Sequence, residues 1–192
     1  GPGGYVAAKK AAKLGMSVVI IDKGAVGGTC INRGCIPTKA LVHAAMLYRE
    51  MTECEKFGLS AEKVGFDLQQ IYEYKDLSAA RMREELEKEF KELGVVSVRG
   101  TATIQSDKKV RVVTPNKEEE YYYGKHILIA TGARARTIDI PGLDLPGVMT
   151  SEELLTSNES QYRRLLILGG GVIGIELATV FNALGSDVTI VE

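Results

Sequence analysis

The sequence predicts an α/β chain, and three observations carry that reading. One unit of glycine turn, helix, short turn and strand occurs twice, once at each end of the chain. Short β-rich stretches punctuated by turn residues lie between the copies. Long segments with helical periodicity precede them.

The bulk numbers narrow the class. The 192 residues are 45% hydrophobic and 26% charged with a net charge of −1, a globular balance that argues against a nucleic-acid partner, which calls for a clustered basic surface. No apolar run reaches the roughly 18 to 20 residues of a membrane span, and GPGGYVAAKK lacks the apolar stretch of a signal peptide. Three cysteines do not make a secreted disulfide scaffold. A reducing compartment with one special cysteine pair fits better. Both ends read as cut: the first four residues hold three glycines with no strand before them, and SDVTIVE stops inside a strand pattern.

Taken in order, YVAAKKAAKLG reads as an Ala/Lys-rich helix with Gly15 at its C-terminal end. MSVVIID reads as a buried strand ending at Asp22, and KGAVGGT as a glycine loop. The cysteine segment follows, and then a helix, PTKALVHAAMLYREM. Leu68 to Leu93 is amphipathic and heavily charged, with Gly94 closing it; its charges are expected to form a solvated face. VVSVRG, TATIQS, KKVRVVT and YYYGKHILIAT read as strands of an antiparallel meander, separated by Lys-Lys and Pro-Asn turns. ARARTIDIPGLDLPGVM is a connection, and SEELLTSNES a short capped helix. LLILGGGVIGIELATVFNALGSDVTIVE opens the second unit at Arg164.

The two copies align in register. Gly1 falls on Gly171, Gly4 on Gly174, Ala8 on Ala178, Leu14 and Gly15 on Leu184 and Gly185, and Asp22 on Glu192. Spacing of this kind suits a dinucleotide. Gly169 makes the tight turn after the strand, Gly171 lets backbone approach a pyrophosphate, and Gly174 lets the helix pack closely. The helix N-terminus receives the negative charge, and an acid at the next strand tip can hold a ribose hydroxyl pair. In the first copy Gly1 stands at the second glycine position. A lone glycine turn is weak evidence; two, each with its acid, imply two dinucleotides, typically a flavin and a nicotinamide.

Cys30 and Cys35 are five residues apart. In a regular helix that is a rise of about 7.5 Å with side chains on different faces, whereas a disulfide needs Cα atoms within about 7 Å. A bridge therefore demands distortion, which Asn32 and Gly34 tolerate, and Pro37 suits the first turn of a following helix. Two inert cysteines remain an alternative. A zinc site is the weaker alternative, since only distant His43 and His126 could add ligands; no metal is expected.

GGTCINRGCIPTKAL resembles the active-site segment of the class I pyridine nucleotide-disulfide oxidoreductases. GPGGYVAAKKAAKLG, ILIATGARARTIDIPG and GGGVIGIELA resemble that family's other signatures, in its order, over essentially the whole chain. The resemblance implies an FAD-binding Rossmann-like domain of the glutathione reductase type with an antiparallel β-meander (residues 1–150), a connection (151–163), and the start of a second Rossmann-like, NAD-binding domain (164–192). It implies that Cys30 and Cys35 form a redox-active disulfide, Cys35 facing flavin and Cys30 exchanging with substrate. By the same resemblance Gly1, Gly3 and Gly4 flank the FAD pyrophosphate, and Asp22, with Lys23 beside it, binds the adenosine ribose. Gly28, Thr29 and Lys39 contact the cofactor near the cysteines, and Ala102 offers backbone to the adenine. Ala130, Thr131, Gly132 and Ala133 return the chain to FAD. Gly169, Gly171 and Gly174 serve NAD, and Glu176 sits on the Lys39 side of the flavin.

Within the family, Glu192 favours NAD, because a carboxylate accepts from a ribose 2′-OH and repels a 2′-phosphate. With the IPTKAL tail it points to the dihydrolipoamide dehydrogenase branch. The partners implied are a lipoyl domain of a 2-oxo acid dehydrogenase or glycine cleavage complex and, for the parent protein, a second copy in a homodimer. A glutathione- or mercuric-reductase-like NADPH enzyme and a non-catalytic FAD-binding module are the alternatives. The branch implies a bacterial cytoplasm or an organellar matrix or stroma, without secretion. Arg33 departs from the usual Val, and Thr38 replaces the commoner Ser. Cys54, His43 and His126 are expected to be structural. The family's histidine base lies in a C-terminal interface domain, so the 192 residues alone are expected to be inactive.

Overall fold

The computed structural model describes residues 1–136, 138–158 and 161–192. Thr137, in the expected connection, and Glu159 and Ser160, at the tail of the expected short helix, lie outside the described residues. The fold is mixed α/β and divides into two compact units, Gly1–Asn32 with Ala80–Arg134, and Arg33–Ala79 with Ala135–Glu192.

In the first unit α1 (Pro2–Lys13) starts after Gly1, with Pro2 in the first turn where its missing N–H is no loss. α1 packs on β1 (Val19–Asp22). β1 pairs in parallel with β2 (Val96–Arg99), Val19 opposite Val96 and Asp22 opposite Arg99. That differs from the expected four-stranded meander. Only Gly100 separates β2 from β3 (Thr101–Ile104), which is too short for a two-residue hairpin turn, whereas the long stretch between β1 and β2 is the crossover that parallel pairing requires. β3, β4 (Lys109–Val113) and β5 (Glu119–Tyr123) form the antiparallel meander in that order. Along β4 burial alternates, with Val110 and Val112 buried.

A second difference concerns YYYGKHILIAT, read as one strand. Pairing ends with Tyr123 opposite Lys109, the first residue of β4, so the ladder offers no further partner there. Residues 126–131 carry no strand, and Leu128 and Ile129 are exposed.

In the second unit β6 (Arg164–Leu168) and β7 (Asp187–Val191) pair in parallel, joined by α6 (Val172–Ala183). The apolar stripe of α3 (Cys35–Thr52) supplies Leu41 and Ala45 to the core. Tyr72, from the N-terminal half of α4 (Leu68–Glu92), and Leu155, from α5 (Ser151–Ser157), meet Leu177, Val180, Phe181 and Leu184 there. Tyr162 packs edge-on to Phe181.

α5 opens with the capping box its sequence suggests. Thr150 Oγ1 accepts from the Glu153 N–H, and the Glu153 carboxylate accepts from the Thr150 N–H at 2.6 Å. T150A is expected to cost about 1 kcal/mol of stability, read by urea denaturation. The bond from the Thr150 N–H foremost, and then one donated to the carboxylate by the Thr150 hydroxyl at 2.9 Å, hold the Glu153 carboxyl below its ordinary value of 4.5. A depressed folded value means that the cap's contribution is present above 4.5 and lost as pH falls through the folded value. The gap in stability between wild type and E153Q should therefore close in acid.

The helices of the two glycine-turn units have matching bounds and caps, while β7 starts two residues earlier in the register than β1. The register that puts Gly1 on Gly171 carries α1 onto α6 residue for residue. Leu14 (φ −90°, ψ 11°) and Leu184 (φ −87°, ψ 11°) cap the two helices alike, and Gly15 and Gly185 follow with positive φ. The repeat is one helix-and-cap pattern written twice.

Candidate redox and dinucleotide site

Within the first unit the glycine segments converge. Asp22, at the tip of β1, accepts from the Gly24 N–H at 3.1 Å and so closes the turn after the strand; Lys23 beside it is exposed. Gly28 has φ +62°, and a Cβ there would stand 2.4 Å from Gly1 Cα and 2.6 Å from Gly1 N. The two turns meet backbone to backbone. A Cβ on Gly4 would lie 3.5 Å from the Ala130 methyl group, and one on Gly3 4.0 Å from it, so the segment leading to Thr131 runs beside them. Thr131, Gly132 and Ala133 are exposed and irregular, with Gly132 at φ +76°. Thr29 is exposed in the first turn of α2 (Gly28–Arg33), and Ala102 is exposed on β3 opposite Val112.

This cradle fits a pyrophosphate. α1 carries no side-chain cap and no acidic residue in its first turn, so its positive dipole end suits an anion, with Pro2 lacking an N–H and the Gly4 N–H donating to the Gly1 carbonyl. The neighbouring residues are glycines with no side chain to intervene.

Cys30 sits on α2 and Cys35 is the first residue of α3; the two are disulfide-bonded. The required distortion falls at Gly34 (φ −145°, ψ −105°), which separates the two helices. Asn32 stays helical. Pro37 is buried in the first turn of α3, and the Thr38 N–H donates to the Gly34 carbonyl at 3.0 Å. Arg33 pairs with Glu152 of α5 at 2.7 Å, both partly exposed. Cys54 is buried, its Sγ 3.6 Å from the Leu59 carbonyl.

In the second unit the packing of α3 on α6 brings together residues far apart in sequence, and Lys39 Nζ meets Glu176 Oε1 at 2.5 Å. Lys39 is exposed, so the pair contributes at most about 1 kcal/mol of stability. The turn after β6 has Gly169 at φ +109°, its N–H donating to the Val191 carbonyl at 2.7 Å. Gly171 caps α6 with open space where a side chain would stand. A Cβ on Gly174 would stand 2.1 Å from the Gly169 carbonyl oxygen. Glu192, following β7, accepts from the Gly170 N–H. α6 has neither a side-chain cap nor an acidic first turn, which again suits an anionic dinucleotide.

Lys75 and Arg83 of α4 depart from the expected solvated face. Lys75 is buried, donating to the Leu155 carbonyl and to Asn158 Oδ1, each at 2.6 Å, and pairing with Asp76 at 2.8 Å. A buried ammonium requires such partners. Arg83 donates to Asn32 Oδ1 at 2.9 Å. Both lie among many solvated charges of the same helix, and only tertiary placement distinguishes them. Among the described residues no cluster of three or more His, Cys, Asp or Glu is placed to hold a metal ion, and no helix is long and apolar enough to cross a membrane.

A disulfide set directly after a glycine turn, with a second glycine turn following a parallel strand, defines the class as a disulfide oxidoreductase built on dinucleotide-binding folds. The chain belongs to the pyridine nucleotide-disulphide oxidoreductase family, whose family model matches residues 1–192; members of this family bind FAD. It is 39% identical over 194 residues to the mitochondrial dihydrolipoyl dehydrogenase of Dictyostelium discoideum and 40% identical over 196 residues to the dihydrolipoyl dehydrogenase of Haloferax volcanii. All of this chain is covered in both comparisons, and it spans 40% of each relative. With the dihydrolipoyl dehydrogenase of Acholeplasma laidlawii the identity is 41% over 198 residues, covering all of the chain and 57% of that relative. Among solved structures, the Cu(II) complex of the HOCl-induced flavoprotein disulfide reductase RclA from Escherichia coli matches with a TM-score of 0.82 and 33% identity, over 100% of this chain and 40% of that one.

Proposed function

We propose that this chain carries the disulfide and the first dinucleotide contacts of an enzyme that oxidises dihydrolipoamide to lipoamide with NAD as acceptor. The observation that carries the proposal is the Cys30–Cys35 disulfide placed directly after the Gly27–Gly28 turn. The 36–41% identity to proteins named dihydrolipoyl dehydrogenase supports the substrate. The carboxylate of Glu192 at the second ribose position supports NAD over NADP.

In this reading residues 1–150 are the FAD domain, 151–163 a connection and 164–192 the opening of the NAD domain. Gly1, Gly3, Gly4 and Gly28 hold the FAD pyrophosphate, and Asp22 the adenosine ribose. Lys23, Thr29, Ala102, Thr131, Gly132 and Ala133 line the rest of the cofactor, and Lys39 and Glu176 stand where it meets nicotinamide. A bound flavin supplies a two-electron route from thiols to nicotinamide. Cys30 accepts the substrate thiolate: the Cys30–Cys35 bond breaks, a mixed disulfide forms at Cys30, and the second substrate thiol displaces Cys30 to close lipoamide. The products are lipoamide and the Cys30/Cys35 dithiol, so two electrons and two protons are conserved. The N-terminal turn of α3 favours the Cys35 thiolate through its dipole. A lipoyl domain as substrate carrier, a homodimer as the working assembly, and a bacterial cytoplasm or organellar matrix or stroma belong to the same proposal.

The RclA match favours a second reading, a disulfide reductase running in the opposite direction. The intact flavoprotein decides between them. Reduction of NAD by dihydrolipoamide, at least tenfold faster than reduction of NADP, is the expected result. NADPH-driven disulfide reduction with no dihydrolipoamide oxidation would establish the second reading.

A further inference from the structure

The two residues between Cys30 and the break at Gly34 that carry polar side chains are Asn32 and Arg33, and Asn32 is the better anchored. Its Nδ2 donates to the carbonyl of Gly28 at 2.9 Å, of Val26 at 3.1 Å and of Ala25 at 3.3 Å. Its Oδ1 accepts from Arg83 Nη1 at 2.9 Å. An arginine can only donate, so Arg83 fixes which end of the carboxamide faces the loop. Three carbonyls that would repel one another are thereby gathered onto one donor group. The glycine loop is held down on α2, the helix that carries Cys30.

We propose that Asn32 and Arg83 are positioning residues for the redox pair, acting as a polar clamp that holds the Cys30 turn in its disulfide-forming arrangement when the bond is open. The proposal rests on the redox reading of Cys30 and Cys35. Closing the bond releases two electrons and two protons from the two thiols to an acceptor such as glutathione disulfide, which becomes two glutathione thiols. Closure is favoured in proportion to the effective concentration of one thiol at the other. A loosened loop lowers that concentration, makes the disulfide easier to reduce and raises its potential.

The test is equilibration of the intact flavoprotein in glutathione redox buffers, with free thiols alkylated and Cys30 and Cys35 counted by mass spectrometry. N32D keeps the shape and the arginine partner but turns an oxygen toward three carbonyls. It is expected to lower the oxidation equilibrium constant at least tenfold, a rise of about 30 mV for a two-electron couple. R83M should lower it about threefold in the wild-type background and not at all on top of N32A, since Arg83 acts through Asn32. N32D titrating within twofold of wild type would overturn the clamp, as would an R83M effect that survives in N32A. Should N32D fail to fold, the R83M pair of measurements decides alone. Wild-type protein that forms no disulfide in any buffer would overturn the redox reading, a result distinct from failure of the clamp.

Discussion

Serine at Cys30 or at Cys35 of the intact flavoprotein is expected, on the proposed function, to cut dihydrolipoamide-dependent NADH formation by more than about a thousandfold, and the double variant to lose no more than either single one. Residues that act as one unit are grossly non-additive: a disulfide that has lost one sulfur cannot be formed, and losing the second removes nothing further. A thousandfold corresponds to about 4 kcal/mol of transition-state stabilisation. Folding should be far less affected, because the bridge closes a loop of only a few residues and Gly34 already breaks the helix between the cysteines. Cys54 is the internal control. It is buried with its thiol against the Leu59 carbonyl, and C54S should change turnover by less than about twofold. Either redox-pair variant retaining activity within tenfold of wild type would remove the disulfide from the chemistry.

How far the sequence reached is clearest at the repeat. Glycine spacing fixes local backbone, and α1 and α6 match to the residue because everything that specifies them lies within a dozen positions. The helix break between the cysteines was legible for the same reason, from a distance argument over five residues. β2 was misplaced because strand partners are chosen by tertiary packing, and VVSVRG carries no local mark of pairing with β1 across the whole intervening crossover. HILIAT reads as a strand by composition and has no ladder past Tyr123. Arg83 escaped notice among the glutamates and lysines of α4; nothing in its neighbours in sequence distinguishes a cation that reaches Asn32 from one that reaches water. Arg33 ties the segment between the cysteines to α5 through Glu152, an exposed pair of small energetic weight.

Alanine at Gly174 is expected to destabilise the second unit by about 1–3 kcal/mol or more and to weaken nicotinamide dinucleotide binding at least tenfold. Its Cβ would stand 2.1 Å from the Gly169 carbonyl oxygen and 3.3 Å from both the Gly169 carbonyl carbon and Ile167 Cγ2. The nearest of these is main chain and cannot rotate away. Relief requires α6 to lift from β6, and α6 supplies Leu177, Val180 and Phe181 to the core. Gly171→Ala makes the contrast. Among the described residues, chain neighbours aside, no atom lies within 4 Å of its Cβ position and its φ is −69°, so stability should hold within about 0.5 kcal/mol while, on the proposed reading, the methyl group occupies the pyrophosphate approach. Gly4→Ala, at the position matching Gly174 in the first copy, meets the Ala130 methyl at 3.5 Å and Ile20 Cδ1 at 3.8 Å, ordinary contacts, and should be mild for folding. Urea denaturation of the three variants beside their NADH affinities separates packing from binding: G174A with wild-type stability would refute the steric account, and G171A with wild-type affinity would refute the placement of the pyrophosphate.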